Sequence, residues 1–313
     1  MKNNECKKAI CDVLLVGGTH GNELTGIHLV NHLKKTHLQK KYPEFNLDFL
    51  LANEAARIEN RRYIDVDLNR CFKVEDLNNP NLKSKEALLA KDINNKYGPK
   101  AGTVGAETSQ PKMDFIIDLH TSTANMQTNI VITRIDKFHL QLASFLKEKL
   151  SGVTITSEAE LLNDHHFLES IAPRGVLIEI GPIAQGCIEH PIMELTQQAL
   201  LACLDFVDLF NNDQVPVLPK VLNTYSYYSN LTFPTDSSGA ISASIHPSLL
   251  GKAYPKLKKG TPVFITFDGD AIIYEGESTN LAFINEAAYY DKQIAMCLCE
   301  QASYSLETYQ RIK

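Results

Sequence analysis

Apolar residues occur along this chain in short unbroken runs that glycines and polar clusters cut off. Val13–Val16 (VLLV) stops at Gly17-Gly18, and its consecutive apolar positions predict a strand buried on both faces. Leu47–Ala52, Phe115–Leu119, Asn129–Thr133 and Val176–Ile180 read as strands of the same kind. Between them the period changes. From Leu24 to Lys35, Leu24, Ile27, Leu29, Val30 and Leu33 fall mostly on one side of a helix. Ser84–Tyr97 ends at Gly98-Pro99, Asp136–Leu150 ends near Gly152, and Pro191–Phe210 forms a third long helical stretch. Strands that alternate with helices predict an α/β fold on a mixed, largely parallel sheet. Residues 99–112, polar and dotted with Gly and Pro, read as a surface loop.

After Phe210 the pattern changes to period two. Asn211 to Pro219 is a linker candidate, and Val263–Phe267 and Ala271–Tyr274 flank Asp268-Gly269-Asp270, a strong hairpin signal. Tyr225, Tyr227 and Tyr228 also favour strand. The expectation is an α/β domain over residues 1–212 and a smaller β-rich domain over 213–313.

Composition narrows the possibilities. At 313 residues, 44 % apolar and 22 % charged, the chain can bury a large core and has the balance of a soluble globular protein. Its net charge is −6 with no basic stripe, which argues against nucleic acid as a partner. No apolar run approaches the ~18 residues of a membrane span. The start, Met1-Lys-Asn-Asn-Glu-Cys-Lys-Lys, lacks the apolar segment of a signal peptide. A cytoplasmic location follows as the expectation, and the Asn230-Leu-Thr sequon then has no meaning. Seven cysteines (Cys6, Cys11, Cys71, Cys187, Cys203, Cys297, Cys299) with no CxxC pair read as free thiols, several of them buried.

Candidate chemistry sits where strands end. In DVLLVGGTHGNELTG, a strand feeding a glycine turn delivers His20 and Glu23 to the carboxyl edge of the sheet, the usual place for ligand sites. Their three-residue spacing puts both side chains on one side of a turn. A catalytic zinc typically takes three protein ligands and keeps one open position, so a third ligand is needed. His120, in MDFIIDLHTSTAN, ends another strand at the same edge and completes a His₂Glu set. Asp118 beside it either orients a ligand histidine or serves as a structural polar group. Rival pairs are weaker: His28 and His32 lie on the polar face of their helix, and His165-His166 are adjacent. Glu179 interrupts the apolar strand VLIEIGP just before a Gly-Pro break, which is costly unless the carboxylate is paired or used. Beside a metal it would act as general base. NRRYIDVDLNRCF clusters Arg61, Arg62, Asn69 and Arg70, a grouping suited to holding a carboxylate or an oxyanion, or otherwise a charged loop balanced by Asp65 and Asp67.

Taken together and in order, GGTHGNELTG, RYIDVDLNR, DLHTSTANM, IEIGPIAQG and INEAAYY resemble the aspartoacylase family, zinc amidohydrolases related to the carboxypeptidases. The resemblance runs from about residue 12 to Tyr290. It implies a carboxypeptidase-like α/β domain, a β-rich C-terminal domain that narrows the cleft, and one Zn²⁺ per chain held by His20, Glu23 and His120. It further implies Glu179 as the catalytic glutamate and Arg62 as the group that polarises the scissile carbonyl. Arg62, Asn69, Arg70 and Tyr289 are then the substrate-binding residues. The implied substrate is a small N-acyl amino acid, N-acetyl-L-aspartate first. Aminoacylases for aromatic amino acids, desuccinylases and carboxypeptidases are the enzyme alternatives, and a metal-free binding protein is the non-enzyme one. A homodimer is common among such proteins. There is one departure. Glu169 stands where aspartoacylases carry a substrate-binding arginine, ten residues before the catalytic glutamate; a carboxylate there is expected to repel an anionic substrate, with Arg174 as a substitute.

Overall fold

The computed structural model describes residues 9–106 and 109–312. The eight leading residues, Cys6 among them, lie outside that range, as do two residues of the 99–112 loop and the last residue.

The chain runs β1 (Asp12–Gly17), α1 (Leu24–Leu33), α2 (Leu38–Lys41), β2 (Asn46–Leu51), α3 (Glu54–Ile58), α4 (Val74–Asn78) and α5 (Lys85–Tyr97). It continues through β3 (Phe115–Thr121), β4 (Gln127–Ile132), α6 (Lys137–Lys149), β5 (Val153–Ser157), β6 (Arg174–Gly181) and α7 (His190–Asn211). The C-terminal part holds β7 (Val221–Thr232), β8 (Ala243–Ile245), β9 (Lys256–Leu257), β10 (Pro262–Thr266), β11 (Ala271–Ile273), β12 (Thr279–Ala282) and β13 (Ile294–Ser305). Ten of these strands form one sheet in the order β2-β1-β3-β6-β4-β5-β7-β13-β12-β9, and β11-β10-β8 form a second. Strands β2, β1, β3 and β6 are mutually parallel; β4 runs against β6.

Alternate residues of the central strands supply two cores. Val13 and Leu15, with Phe115, Ile117, Val176 and Ile178, face α1, α6 and α7, where Leu29, Leu142, Phe206 and Val207 cover them. Leu14, Val16 and Ile116 face the opposite way, onto Ala90, Ile93 and Tyr97 of α5. Each such buried apolar side chain contributes about 1.5–3 kcal/mol, so covering both faces favours the unbroken VLLV-type runs. A third cluster around Ile245, Phe264, Leu281 and Met296 holds the C-terminal strands together.

The helices begin where their polar caps predict. Ser84 Oγ accepts from the Ala87 N–H at 3.3 Å, and Asp136 Oδ1 accepts from the His139 N–H at 3.0 Å. The Asp268-Gly269-Asp270 hairpin forms between β10 and β11, with Gly269 at φ +99°. Strand β5 was not predicted, because its Thr and Ser residues hide it from a hydrophobic pattern. Its threonine hydroxyls are satisfied laterally instead, Thr156 Oγ1 donating to Asn129 Oδ1 at 2.8 Å and Thr154 Oγ1 to Gln127 Oε1 at 3.1 Å. Through Thr156–Tyr225 and Ser157–Ser226, β5 hydrogen-bonds to β7, so the β-rich C-terminal part extends the main sheet rather than standing apart from it.

Among the described residues no disulfide forms; Cys71, Cys203, Cys297 and Cys299 are buried thiols, while Cys11 and Cys187 are exposed. No helix is long and apolar enough to cross a membrane.

Candidate active site

Because β1, β3 and β6 are parallel and adjacent, their carboxyl ends open on one edge. His20 and Glu23 leave β1 through a turn that only glycine permits. Gly18 has φ +75°, and a Cβ on Gly17 would lie 2.3 Å from Gly26 O, so strand and helix meet backbone to backbone. His120 lies within β3, which runs two residues beyond the predicted Leu119, and its register partner on β6 is Glu179. His120 is tolerated in this buried stretch because its ring nitrogens lie against Glu23 and Asp118.

His20, Glu23 and His120 come together, all three buried, with one donor atom from each within 4.8 Å of the others. His20 Nδ1 is 2.6 Å from Glu23 Oε1, His120 Nδ1 is 3.0 Å from Glu23 Oε2, and the two Nδ1 atoms are 3.2 Å apart. The opposite ring nitrogens face carboxylates: His20 Nε2 lies 3.0 Å from Asp67 Oδ1, and His120 Nε2 lies 2.9 Å from Asp118 Oδ2. Thr19 Oγ1 holds Asp118 from behind at 2.8 Å. The two Nδ1 atoms and the Glu23 carboxylate thus converge, with a carboxylate behind each ring to hold its orientation, and together they form a donor set for a divalent cation. Metal bonds of 2.0–2.2 Å place neighbouring tetrahedral donors about 3.3 Å apart, close to these separations, so the residues fit a divalent metal of the zinc type.

Electrostatics agree. Burial alone would raise the Glu23 carboxyl, but His20 and His120 outweigh it and hold it far below the usual range. Asp67 is likewise held down, by His20 and Arg62 against its own burial. Glu179 is the opposite case. Burial, reinforced by the Glu23 charge, pushes it up to about 8, and its carboxylate has no hydrogen-bond or ion-pair partner among the described residues.

The predicted substrate residues divide. Arg62 reaches the edge of the triad, donating to Glu23 Oε1 at 3.1 Å and to Asp67 Oδ2 at 3.1 Å, whereas Arg61 is exposed and pairs only with Glu59. Asn69 is buried, its Oδ1 accepting from Leu168 N–H at 2.8 Å and its amide nitrogen 3.5 Å from His120 Nε2. Arg70 lies over the Phe167 ring at 5.4 Å, and Tyr289 packs edge-on to Phe283. Arg62, Asn69, Arg70, Glu179 and Tyr289 line one small cavity of about 50 Å³ with His20 and His120. It shares Arg70, Glu158, Phe167 and Tyr289 with an adjoining chamber of about 420 Å³.

Glu169 and Arg174 do not behave as expected from the sequence. Glu169 is fully buried, accepts from Thr133 Oγ1 at 2.8 Å, and occupies the space beside Gly175, where a Cβ would meet its Oε2 at 2.0 Å. It does not line the cavity. Arg174 opens β6, five residues or about 16 Å of strand before Glu179, with its guanidinium over Phe138. It cannot replace a substrate-binding arginine. The rival pair His28 and His32 is exposed, as expected, and His165-His166 flank Phe167 away from the triad.

Three contributors escaped the sequence reading. Asp67 looked like one charge balancing a loop, yet it orients His20. Glu158, just past β5, lines both cavities and carries no motif. Glu286, inside the INEAAYY stretch, accepts from Ser122 Oγ, from Thr123 N–H at 2.8 Å and from Ala124 N–H at 3.1 Å, tying the C-terminal part to the loop after His120. Glu286 is only 4 % exposed. Glu286→Ala strands those donors and is expected to cost about 3 kcal/mol, read as a lower denaturant midpoint at unchanged slope. Unchanged stability would show that the clamp carries no load.

Comparison with known proteins now places the chain. Residues 9–207 match the Succinylglutamate desuccinylase/Aspartoacylase catalytic domain and residues 220–301 the AstE/AspA barrel-sandwich hybrid domain. Relatives named as amide-hydrolysing enzymes, matched over nearly the whole chain, place it in that class. The chain belongs to the succinylglutamate desuccinylase/aspartoacylase family. A probable aspartoacylase of Trichodesmium erythraeum is 40 % identical, covering 95 % of this chain and 99 % of its own. An N-acyl-aromatic-L-amino acid amidohydrolase (carboxylate-forming) of Xenopus laevis is 35 % identical, covering 93 % and 95 %. The crystal structure of murine aminoacylase 3 superposes with a TM-score of 0.88 at 29 % identity, covering 96 % of this chain and 98 % of that one.

Proposed function

We propose that this protein hydrolyses the acyl amide of N-acyl-L-amino acids, with Zn²⁺ held by His20, Glu23 and His120. The observation that carries the reading is the convergence of His20, Glu23 and His120, all buried, next to an unpartnered Glu179. A divalent cation at that point supplies a Lewis acid and lowers the pKa of a water beside it to about 7. Glu179, free of any competing hydrogen bond, takes the proton of the attacking water and returns it to the departing amine. Arg62 offers N–H groups to the negative charge that develops on the carbonyl oxygen, a contribution of about 3–4 kcal/mol for a well-placed donor. Arg70, Asn69 and Tyr289 hold the substrate's carboxylate at the mouth of the cavity.

N-acetyl-L-aspartate is the first substrate, in line with the relatives named aspartoacylase. A second reading, N-acyl aromatic amino acids, is favoured by the adjoining chamber, whose walls include Leu161, Leu162, Phe167, Tyr227 and Ile294. The test is a panel of N-acetyl-aspartate, N-acetyl-tyrosine, succinyl-glutamate and a dipeptide, run beside a metal determination. About one zinc per chain and hydrolysis of an N-acyl amino acid are expected. Metal-free protein that cleaves none of the four would leave a binding protein that has kept the fold.

A further inference from the structure

Most carboxylates around the cleft are paired: Glu23 and Asp67 to histidine and Arg62, Asp118 to His120 and Thr19, Glu286 to a hydroxyl and backbone N–H groups. Two that line it have no hydrogen-bond or ion-pair partner among the described residues, Glu179 and Glu158. Glu179 has a role in the chemistry. Glu158 has none so far. Its main chain is fixed at the end of β5, the N–H donating to Ile132 O at 2.9 Å and the carbonyl accepting from Leu161 N–H at 3.0 Å, so its place in the cavity wall is set by the sheet. Arg70 faces it across the cleft, yet Arg70 donates to Asn69 O and lies over Phe167 instead of pairing with it. Burial pushes the Glu158 carboxyl up to about 7 in spite of that cation, with the Glu169 charge adding to the rise.

A desolvated carboxylate without a donor is costly. The chamber around it combines apolar residues such as Leu161, Leu162, Phe167 and Ile294 with Arg70, His166, Asn230 and Lys292, and among the described residues Glu158 is the one carboxylate in its lining. A lone carboxylate beside apolar walls is complementary to an apolar side chain that ends in a donor. It also opposes a second carboxylate. We propose that Glu158 reads the amino-acid side chain of the substrate, accepting a hydrogen bond from an N–H or O–H at the tip of an apolar side chain and turning away acidic ones. The preferred class is then N-acyl amino acids with donor-tipped apolar side chains, of which tyrosine and tryptophan are the simplest. This rests on the second reading above, a deacylase of N-acyl aromatic amino acids rather than of N-acetyl-L-aspartate, in which Arg70 takes the substrate's α-carboxylate and leaves Glu158 to face the side chain.

The product amino acids probe the same subsite without turnover. Calorimetric titration of the zinc-loaded protein with L-tyrosine, L-phenylalanine and L-aspartate at pH 8.5, where Glu158 is charged, compares wild type with Glu158→Gln and Glu158→Ala. Wild type is expected to bind tyrosine about tenfold tighter than phenylalanine, because a site built to pair a hydroxyl discriminates against its absence. Glu158→Ala should abolish that preference, and Glu158→Gln should tighten aspartate about tenfold as the repulsion goes. In hydrolysis of the N-acetyl derivatives the change falls on KM and leaves kcat nearly constant. A tyrosine-to-phenylalanine ratio and an aspartate affinity that both survive in Glu158→Gln overturn the proposal, as does failure of wild type to bind any of the three. Should Glu158→Ala not fold, the isosteric glutamine variant decides. Loss of all hydrolysis in a wild type that still binds tyrosine over phenylalanine refutes the deacylase reading and leaves the role of Glu158 standing.

Discussion

Glu179→Gln is expected to lower kcat/KM by about 10³-fold while leaving the fold and the zinc content intact. The substitution keeps the shape of a side chain on β6 that makes no hydrogen bond or ion pair among the described residues, so nothing structural is lost with the charge. What disappears is the base. An amide at the register partner of His120 can accept no proton from water and return none to the leaving amine. The pH profile supplies an independent check. Without a cation nearby, burial places this carboxyl at about 8, and a divalent cation beside it pulls the value down. Because the base works only when ionised, kcat/KM should rise with pH through an acidic limb whose midpoint lies below 8, and the glutamine variant should lack that limb. Near-full turnover in Glu179→Gln, or an unchanged limb, would remove Glu179 from the chemistry.

Loss of the metal should have an even larger effect. Chelation, or His120→Ala, is expected to reduce activity by at least about 10⁴-fold, since the Lewis acid and the activated water go together. The structural argument is that His20 Nδ1, His120 Nδ1 and the Glu23 carboxylate converge within reach of a single ion. Removing one leaves two ligands, too few for a tight catalytic zinc site. Stability reports the same event without any assay of turnover. Zinc at 1,000 times its Kd stabilises a folded binder by ~4.1 kcal/mol, so adding zinc should raise the wild-type Tm and leave that of His120→Ala unmoved. Asp118→Asn gives the graded result, a loss of about 10- to 100-fold in metal affinity, as expected when the partner orienting a ligand histidine is weakened. Activity that survives exhaustive chelation would refute the metal assignment.

The central strands, the long helices and the triad were legible in the sequence for one reason. Each is local: an apolar run, a capped amphipathic stretch, or ligand residues placed directly after a strand. The β1 turn shows this best, since Gly17, Gly18, His20 and Glu23 lie within a few positions and the backbone geometry follows from the glycines. Strand β5 was hidden because its threonines pair across the sheet rather than standing out by hydrophobic contrast. Glu169 was misread for a related reason. Its place ten residues before Glu179 predicts proximity, but its direction depends on the cavity that Gly175 leaves beneath β6.

From sequence alone, then, came the sheet-and-helix alternation, the His20-Glu23-His120 cluster with Glu179 beside it, and the change of character after Phe210. Periodicity and strand-end position determine these without reference to the rest of the chain. Tertiary structure alone decided that Asp67 and Asp118 orient the two histidines, that Arg174 belongs to the core, that Glu286 clamps the C-terminal strands to the loop after His120, and that Glu158 stands bare in the substrate chamber. These partners are separated by tens to hundreds of residues, and side-chain direction and desolvation across such distances exist only once the sheet has closed.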